Sequence, residues 1–251
     1  MKETLNYWNQ RAKNSLDNES VTHQDIHQRQ FEISTLIKYL DKTDKVLDIG
    51  CGNGFSTIIL SDYCNEIMGG DFSPEMVKRA RIKNSKNDLI KYEIIDVRNF
   101  NLKIKFSKII TQRCLINILD YESQKKAIIN IANHLTDTGT FLMMEGVKDG
   151  RENLNLLRNS LGLDNLSKVE YNLDFDKKET DSFLSQYFKI EDFITFGTYE
   201  LITRAIYPLY IQPNIPQYGS KFHEIAQKFA ETITDFAPQL SKLGLWVLRK
   251  K

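Results

Sequence analysis

The stretch VLDIGCGNGF, Val46 to Phe55, constrains the fold more than any other part of this 251-residue chain. An apolar run of strand length ends in Asp48, glycines follow at 50, 52 and 54, and an apolar helical period then begins. Glycine supplies φ > 0 and lets a ligand approach the main chain with no Cβ in the way. A strand, a glycine turn and a helix in that order describe a ligand-holding turn at the carboxyl edge of an α/β sheet. A dinucleotide turn of the GxGxxG type would need glycine at 55, where Phe55 stands, and the pattern is DxGxGxG instead. A nicotinamide dehydrogenase is disfavoured on that ground.

The surroundings of the turn repeat its logic. Apolar runs of strand length at Lys45 to Ile49, Glu66 to Gly70, Lys91 to Ile95, Ser107 to Thr111 and Thr140 to Glu145 alternate with segments of helical period. The intervening helices are predicted at Gly54 to Tyr63, Pro74 to Asn84 and Ser123 to Leu135; Ser73 can cap the second, with Pro74 and Glu75 suited to its first turn. Alternation of this kind predicts a parallel sheet. An amphipathic helix is expected at His27 to Leu40, preceded by a polar segment carrying Tyr7 and Trp8 that is an arm or a short helix laid on the body. After Glu145 the spacing predicts helices over Asn153 to Leu161, Thr180 to Gln186 and Phe222 to Phe236, and strands over Ile190 to Phe196 and Leu243 to Leu248. A Pro-rich stretch, YPLYIQPNIPQY, interrupts the pattern between them.

Thirty-four basic against thirty-three acidic residues leave no general electrostatic footprint for nucleic acid, although a local basic patch remains open. Cys51, Cys64 and Cys114 are odd in number and lack CxxC spacing, which argues against a disulfide framework or structural zinc. The beginning of the chain has no apolar leader core, and no run approaches the roughly 18 apolar residues of a membrane span. The expectation is a cytoplasmic protein in a reducing compartment, with neither a membrane nor a nucleic-acid partner.

Asp48 to Gly54 resembles the first motif of class I S-adenosylmethionine-dependent methyltransferases, and other landmarks of that family follow in order between about residues 27 and 146. The resemblance implies a Rossmann-like, mostly parallel seven-stranded α/β sheet, with helices on both faces and a C-terminal antiparallel strand pair. It implies that Asp48, Gly50, Cys51, Gly52, Asn53 and Gly54 hold S-adenosylmethionine, that Asp71 accepts hydrogen bonds from the ribose and that Phe72 flanks the adenine. By the same resemblance Asp96 and Val97 read the adenine edge, Arg113 lies at the rim where the methyl group meets its acceptor, S-adenosylhomocysteine is the product and no metal is needed. The alternative for the three acids at strand ends is turn and cap formation, which Asp commonly serves. The layout of THxD in the arm, QRxLIN after the fourth strand, LNxxR beyond the fifth and ITRxxYPxY near 202 also resembles bacterial methyltransferases of surface-polysaccharide and capsule biosynthesis.

The acceptor side is less determined. Base-amine methyltransferases carry an Asn/Asp-Pro-Pro-aromatic motif after the fourth strand; here the place reads Gln112-Arg113-Cys114-Leu115, and that chemistry is disfavoured. Cys114 as a nucleophile competes with a buried structural thiol. Glu145, ending the fifth strand, is the first candidate base, because a carboxylate in a dry site can have its pKa raised; its alternative is to orient Arg113. His23, which titrates near neutrality, is the second candidate base. His23 and His27 stand four apart, but no third ligand supports a metal. Arg113, Arg158 and Arg204 are candidate anchors for an anionic acceptor, and Tyr171, Asn172, Tyr199 and Tyr207 are further substrate candidates. The join of about 45 residues before the last strand is long enough to be a binding segment or lid; a homodimer interface is its alternative use.

The expectation is therefore one methyltransferase domain over 1–251. Residues 1–42 form an arm and helix, 43–146 a cofactor-binding core, and 147–251 a substrate side that includes an insertion at 197–242. The predicted reaction is methyl transfer to an oxygen of a small polar or anionic metabolite or nucleotide-linked sugar. The alternatives are transfer to the nitrogen of a small amine or sugar amine, and a non-catalytic S-adenosylmethionine-binding regulator.

Overall fold

The structure, a computed structural model, describes residues 2–14, 24–84, 90–167 and 169–251. Seven strands form one sheet in the order β3-β2-β1-β4-β5-β7-β6. They are β1 (Lys45–Ile49), β2 (Glu66–Asp71), β3 (Ile90–Ile94), β4 (Phe106–Gln112), β5 (Leu135–Gly146), β6 (Phe188–Thr195) and β7 (Leu243–Lys250). β1 to β5 pair in parallel, while β7 runs against both its neighbours, β5 and β6. The strand order reverses at β1, so the crevice at the carboxyl ends of β1 and β4 is where a doubly wound sheet binds its ligand.

Both faces of the sheet are covered, which explains the near-continuous apolar character of the strands. Successive side chains point to opposite faces: Leu47, Phe141, Met143, Trp246 and Leu248 join one buried cluster, and Val46, Leu142, Met144, Leu245 and Val247 the other. The helices on these faces are α1 (Lys2–Asn14), α2 (Ile26–Ile37), α3 (Phe55–Leu60), α4 (Pro74–Lys83), α5 (Tyr121–His134), α6 (Lys148–Ser160) and α7 (Lys177–Leu184). They are followed by α8 (Gly197–Leu201), α9 (Tyr207–Ile211) and α10 (Lys221–Thr232). Ser73 caps α4 by accepting from the Met76 amide at 3.2 Å, with Pro74 in the first turn.

Of the two forms open to the first segment, the helix is taken: α1, whose Trp8 and Ala12 pack on Met76 of α4. Two expectations need correction. β5 begins at Leu135 rather than Thr140, because Thr136 to Gly139 read as a turn while the backbone already pairs Leu135 with Phe106. The Pro-rich stretch does not stop the chain's helical course at Tyr207: α8 passes through a π-helical turn, Ile202–Ile206, into α9. Pro208 cannot donate to the carbonyl of Arg204, four residues before it. The guanidinium of Arg158 on α6 donates to that carbonyl instead.

Candidate active site

The carboxyl ends of β1 to β5 open into one cavity of about 980 Å³, at the upper end of the roughly 300–1,000 Å³ range of small-ligand pockets. The glycine turn forms its floor. Gly50, Gly52 and Gly54 have φ of 78°, 55° and 75°, a region that L side chains rarely adopt. A Cβ on Gly50 would lie 2.5 Å from Cβ and 2.6 Å from Sγ of Cys114, so the turn packs directly on the loop after β4. Asp48 is buried beneath the turn and accepts from Thr57 Oγ1 at 2.6 Å; burial pushes its carboxyl up to about 6.

Asp71 ends β2 on the cavity wall. One of its oxygens accepts from the Gly52 amide at 2.9 Å and the other from the Ser73 amide at 2.8 Å, while burial pushes its carboxyl up to about 6. Phe72, Met76, Ile95 and Val97 supply apolar surface beside it. Asp96 pairs with Arg98 and accepts from the Arg98 amide at 3.0 Å. These placements fit a cofactor with a vicinal diol next to a flat ring: a buried carboxylate at a strand end, an apolar slot and a backbone cradle free of Cβ atoms.

The loop after β4 is held by two carboxylates. Glu145 accepts from three successive amides, Cys114 at 3.2 Å, Leu115 at 3.0 Å and Ile116 at 3.2 Å. It is fully buried, burial pushes its carboxyl up to about 7, and it does not line the cavity. Arg113 has φ of 50°, donates its amide to Met144 O at 2.8 Å, and pairs through both terminal nitrogens with the buried Glu32 of α2. The alternative of a bridge from Arg113 to Glu145 gives way to this contact, because Glu145 is occupied below the loop. Burial, with Glu145 next in effect, pushes the Cys114 thiol well up, which leaves it protonated and a poor nucleophile.

α1 roofs the cavity with Tyr7, Trp8 and Arg11. Trp8 Nε1 donates to Asn117 Oδ1 at 2.6 Å, Asn117 Nδ2 donates to Asn172 Oδ1 at 3.1 Å, and the hydroxyls of Tyr7 and Tyr171 lie 2.7 Å apart. On the cofactor side, Ser73 Oγ donates to Asn9 at 2.6 Å.

The far wall is built by α2, α6 and the segment from α8 onward. Arg204 is buried and its Nη2 reaches Asp25 Oδ2 at 2.5 Å and Gln28 Oε1 at 2.9 Å. Burial alone would raise the Asp25 carboxyl, yet Arg204, the Gln28 amide and the Tyr199 hydroxyl hold it down to about 2. Gln28 Nε2 donates to Glu200 at 3.1 Å, and Lys242 lies 3.2 Å from the same carboxylate. A polar chain therefore runs from α2 through α8 to the start of β7.

Of the sequence candidates, Asp48, Gly50, Cys51, Gly52, Asp71, Phe72, Asp96, Val97, Arg113, Arg158, Tyr171, Asn172 and Arg204 line this cavity, whereas Asn53, Gly54, Glu145, Tyr199 and Tyr207 do not. Gly54 opens α3, Tyr199 is buried with its hydroxyl on Asp25 at 2.8 Å, and Tyr207 stacks on Phe222 at 4.4 Å. His23 lies outside the described residues. Sequence reasoning missed Gln28, Arg29 and Glu32, all buried on α2 and all on the cavity wall. A signal was present: Asp25, Gln28, Arg29 and Glu32 recur at three- and four-residue spacing, a second stripe beside the apolar one. Among the described residues no helix is long and apolar enough to cross a membrane, and no group of three or more His, Cys, Asp or Glu side chains could hold a metal.

This sheet order, glycine turn and line of acids define a nucleoside-binding α/β enzyme of the methyl-transferring class. Residues 40–188 match the family model described as a methyltransferase domain, so the chain belongs to that family, within the class I S-adenosylmethionine-dependent methyltransferases. Nodulation protein S of Sinorhizobium fredii is 27% identical over 93 residues, 37% of this chain and 43% of that protein. Carboxy-S-adenosyl-L-methionine synthase of Dichelobacter nodosus is 27% identical over 110 residues, 43% of this chain and 46% of that protein. The chain spans less than half the length of these curated relatives. Among solved structures, N-methyltransferase NodS from Bradyrhizobium japonicum with S-adenosyl-L-homocysteine superposes with a TM-score of 0.61 at 14% identity, covering 98% of each chain. Magnesium protoporphyrin IX methyltransferase from Synechocystis, also with the product bound, gives 0.64 at 14% identity, covering 100% of this chain and 99% of that one. These likenesses are of fold.

Proposed function

We propose that the enzyme methylates a small polar or anionic molecule enclosed between the glycine turn and the segment 203–218, in the first instance at a hydroxyl such as that of a nucleotide-linked sugar in surface-polysaccharide modification. The observation that carries this reading is the continuity of the cavity: beyond the turn and Asp71 it extends past Cys114 into a chamber walled by Tyr7, Trp8, Asn117, Tyr171 and Asn172. A roofed chamber with amides and hydroxyls suits one compact polar acceptor better than a polymer.

In this reading the whole chain works as one methyltransferase domain. Residues 43–146 hold the donor and the insertion at 197–242 closes over the acceptor. Asp71 accepts from the ribose, Phe72 and Val97 flank the adenine, Asp96 meets its edge, and the glycine turn receives the amino-acid portion beside Arg29. The bound cofactor supplies an electrophilic methyl group on a sulfonium. The chain's contribution is alignment and exclusion of water. Glu145 holds the three amides of the 114–116 loop, and Arg113 ties that loop to α2. Both are positioning residues in this scheme.

A nitrogen acceptor is the second reading, and one observation favours it: Glu145, the expected base, lies under the loop with its oxygens on backbone amides. A neutral amine brings its own lone pair and needs no base at the moment of transfer. The deciding experiment measures S-adenosylhomocysteine release against paired hydroxyl and amine acceptors of one carbon skeleton. Turnover with the hydroxyl partner supports the first reading, and turnover with the amine alone replaces it with the second.

A further inference from the structure

The far end of the chamber contains two guanidinium groups with unused capacity. Arg204 is 6% exposed and lines the cavity, yet its Nη1 reaches no hydrogen-bond acceptor among the described residues. Leaving a buried guanidinium N–H unmatched is costly in a dry site. Arg158 stands beside it and, among the described residues, donates to backbone carbonyls, Arg204 O and, at 2.8 Å, Asp164 O. Among the described residues no carboxylate pairs with Arg158. Burial first, then the repulsion of Arg204, lower its pKa, while Asp164 and Tyr218 act in the opposite direction. The ring of Tyr218, half exposed, lies 5.0 Å from the Arg204 guanidinium carbon and covers the pair from the solvent side.

We infer that Arg158 and Arg204 form an oxyanion subsite for the acceptor, taking a phosphate or carboxylate group carried at the end opposite the methylated atom. The inference rests on the proposed small-molecule reading and narrows it to acceptors with a terminal oxyanion. Asp25 pairs directly with Arg204, whereas Asp164 attracts Arg158 with no direct ion pair among the described residues, which leaves the Arg158 guanidinium able to pair with an anion. Guanidinium groups offer paired N–H donors matched to the two oxygens of a phosphate or carboxylate. An acceptor so anchored presents its other end toward Cys114 and the glycine turn.

The test is calorimetry of the full chain loaded with S-adenosylhomocysteine, titrated separately with inorganic phosphate and with malonate. Binding of either probe is expected, phosphate alone assigning a phosphoryl group and malonate alone a carboxylate. Arg158→Gln is expected to weaken that binding by about tenfold or more, the loss of one charge-assisted contact. Arg204→Lys keeps a cation on Asp25 but removes the fork, and is expected to do the same, so the inference does not hang on one variant. S-adenosylhomocysteine affinity is expected to stay within about twofold in both. If the wild type binds S-adenosylhomocysteine but neither probe, or if both variants bind the probes as the wild type does, the subsite is wrong while the methyl-transfer reading stands. Failure to bind S-adenosylhomocysteine at all would instead strike the reading on which the subsite depends.

Discussion

Arg113 grips Glu32 through both terminal nitrogens, joining the turn after β4 to α2 across 81 residues of sequence. Glu32 is fully buried and Arg113 only partly so. The pair stands at the cavity wall with the left-handed backbone of Arg113 above it. It sets where the chamber proposed for the acceptor begins, because the next residue, Cys114, packs on the glycine turn.

Removing one partner leaves an uncompensated buried charge. Arg113→Gln or Glu32→Gln alone is expected to destabilise the protein by about 3–5 kcal/mol. The double variant Glu32→Gln/Arg113→Gln, which leaves no charge, is expected to recover much of that loss. Urea unfolding of the four proteins in a double-mutant cycle measures the coupling. Additive losses would show that the contact does not hold the loop.

Glu145 gives a pH signature. Its folded pKa of about 7 lies above the ordinary 4.5, so its protonated form favours the fold. The contribution is complete below about pH 4.5, declines as pH rises and is gone above about pH 7, with a span on the order of 3 kcal/mol. Glu145→Gln removes this titration. The difference in unfolding free energy between wild type and variant is expected to change with pH between those limits. A difference flat from pH 4.5 to 8 would remove the buried-carboxylate account.

Asp71 titrates where cofactor binding can report it. With its carboxyl raised to about 6, it is charged and a full acceptor above that pH. Affinity for S-adenosylhomocysteine is expected to fall by up to about tenfold per unit as pH drops below 6. Asp71→Asn is expected to bind about 10- to 100-fold more weakly at pH 8, with a flatter profile, through loss of charge-assisted hydrogen bonds. An unchanged profile in the variant would place the ribose elsewhere.

The glycine turn separates backbone strain from collision. At Gly162, φ is 73° and a Cβ would meet nothing within 4 Å; at Gly50, φ is 78° and a Cβ would strike Cys114. Gly162→Ala is expected to cost about 1 kcal/mol, the strain alone. Gly50→Ala is expected to cost roughly 2–4 kcal/mol, with overpacking added, and to lose cofactor binding. Thermal unfolding with and without S-adenosylhomocysteine compares the two. Equal losses would mean that Cys114 yields.

The sheet was legible because its signals are local. β1, β2 and β4 are apolar runs bounded by turn residues, and the order of acids and glycines along them marks the carboxyl edge. What stayed hidden depends on pairing at long range. Nothing in the sequence near Glu145 says that three amides of residues 114–116 will close on it, nor that Glu32 will claim Arg113. The amphipathic period of α2 was plain, but its polar stripe finds partners more than 170 residues away, Glu200 and Arg204. Pro208 misled for the opposite reason: a local breaker was tolerated because Arg158, from α6, meets the carbonyl it leaves behind.

α1 is fastened on both sides, to Ser73 on the cofactor half and to Asn117 and Tyr171 on the acceptor half. Under the proposed function, one roof over both compartments predicts an ordered exchange in which the donor enters first and its spent form leaves last. In steady-state kinetics S-adenosylhomocysteine is expected to compete with the donor and to be noncompetitive toward the acceptor. A parallel-line pattern would contradict this order, since it requires the first product to depart before the second substrate arrives.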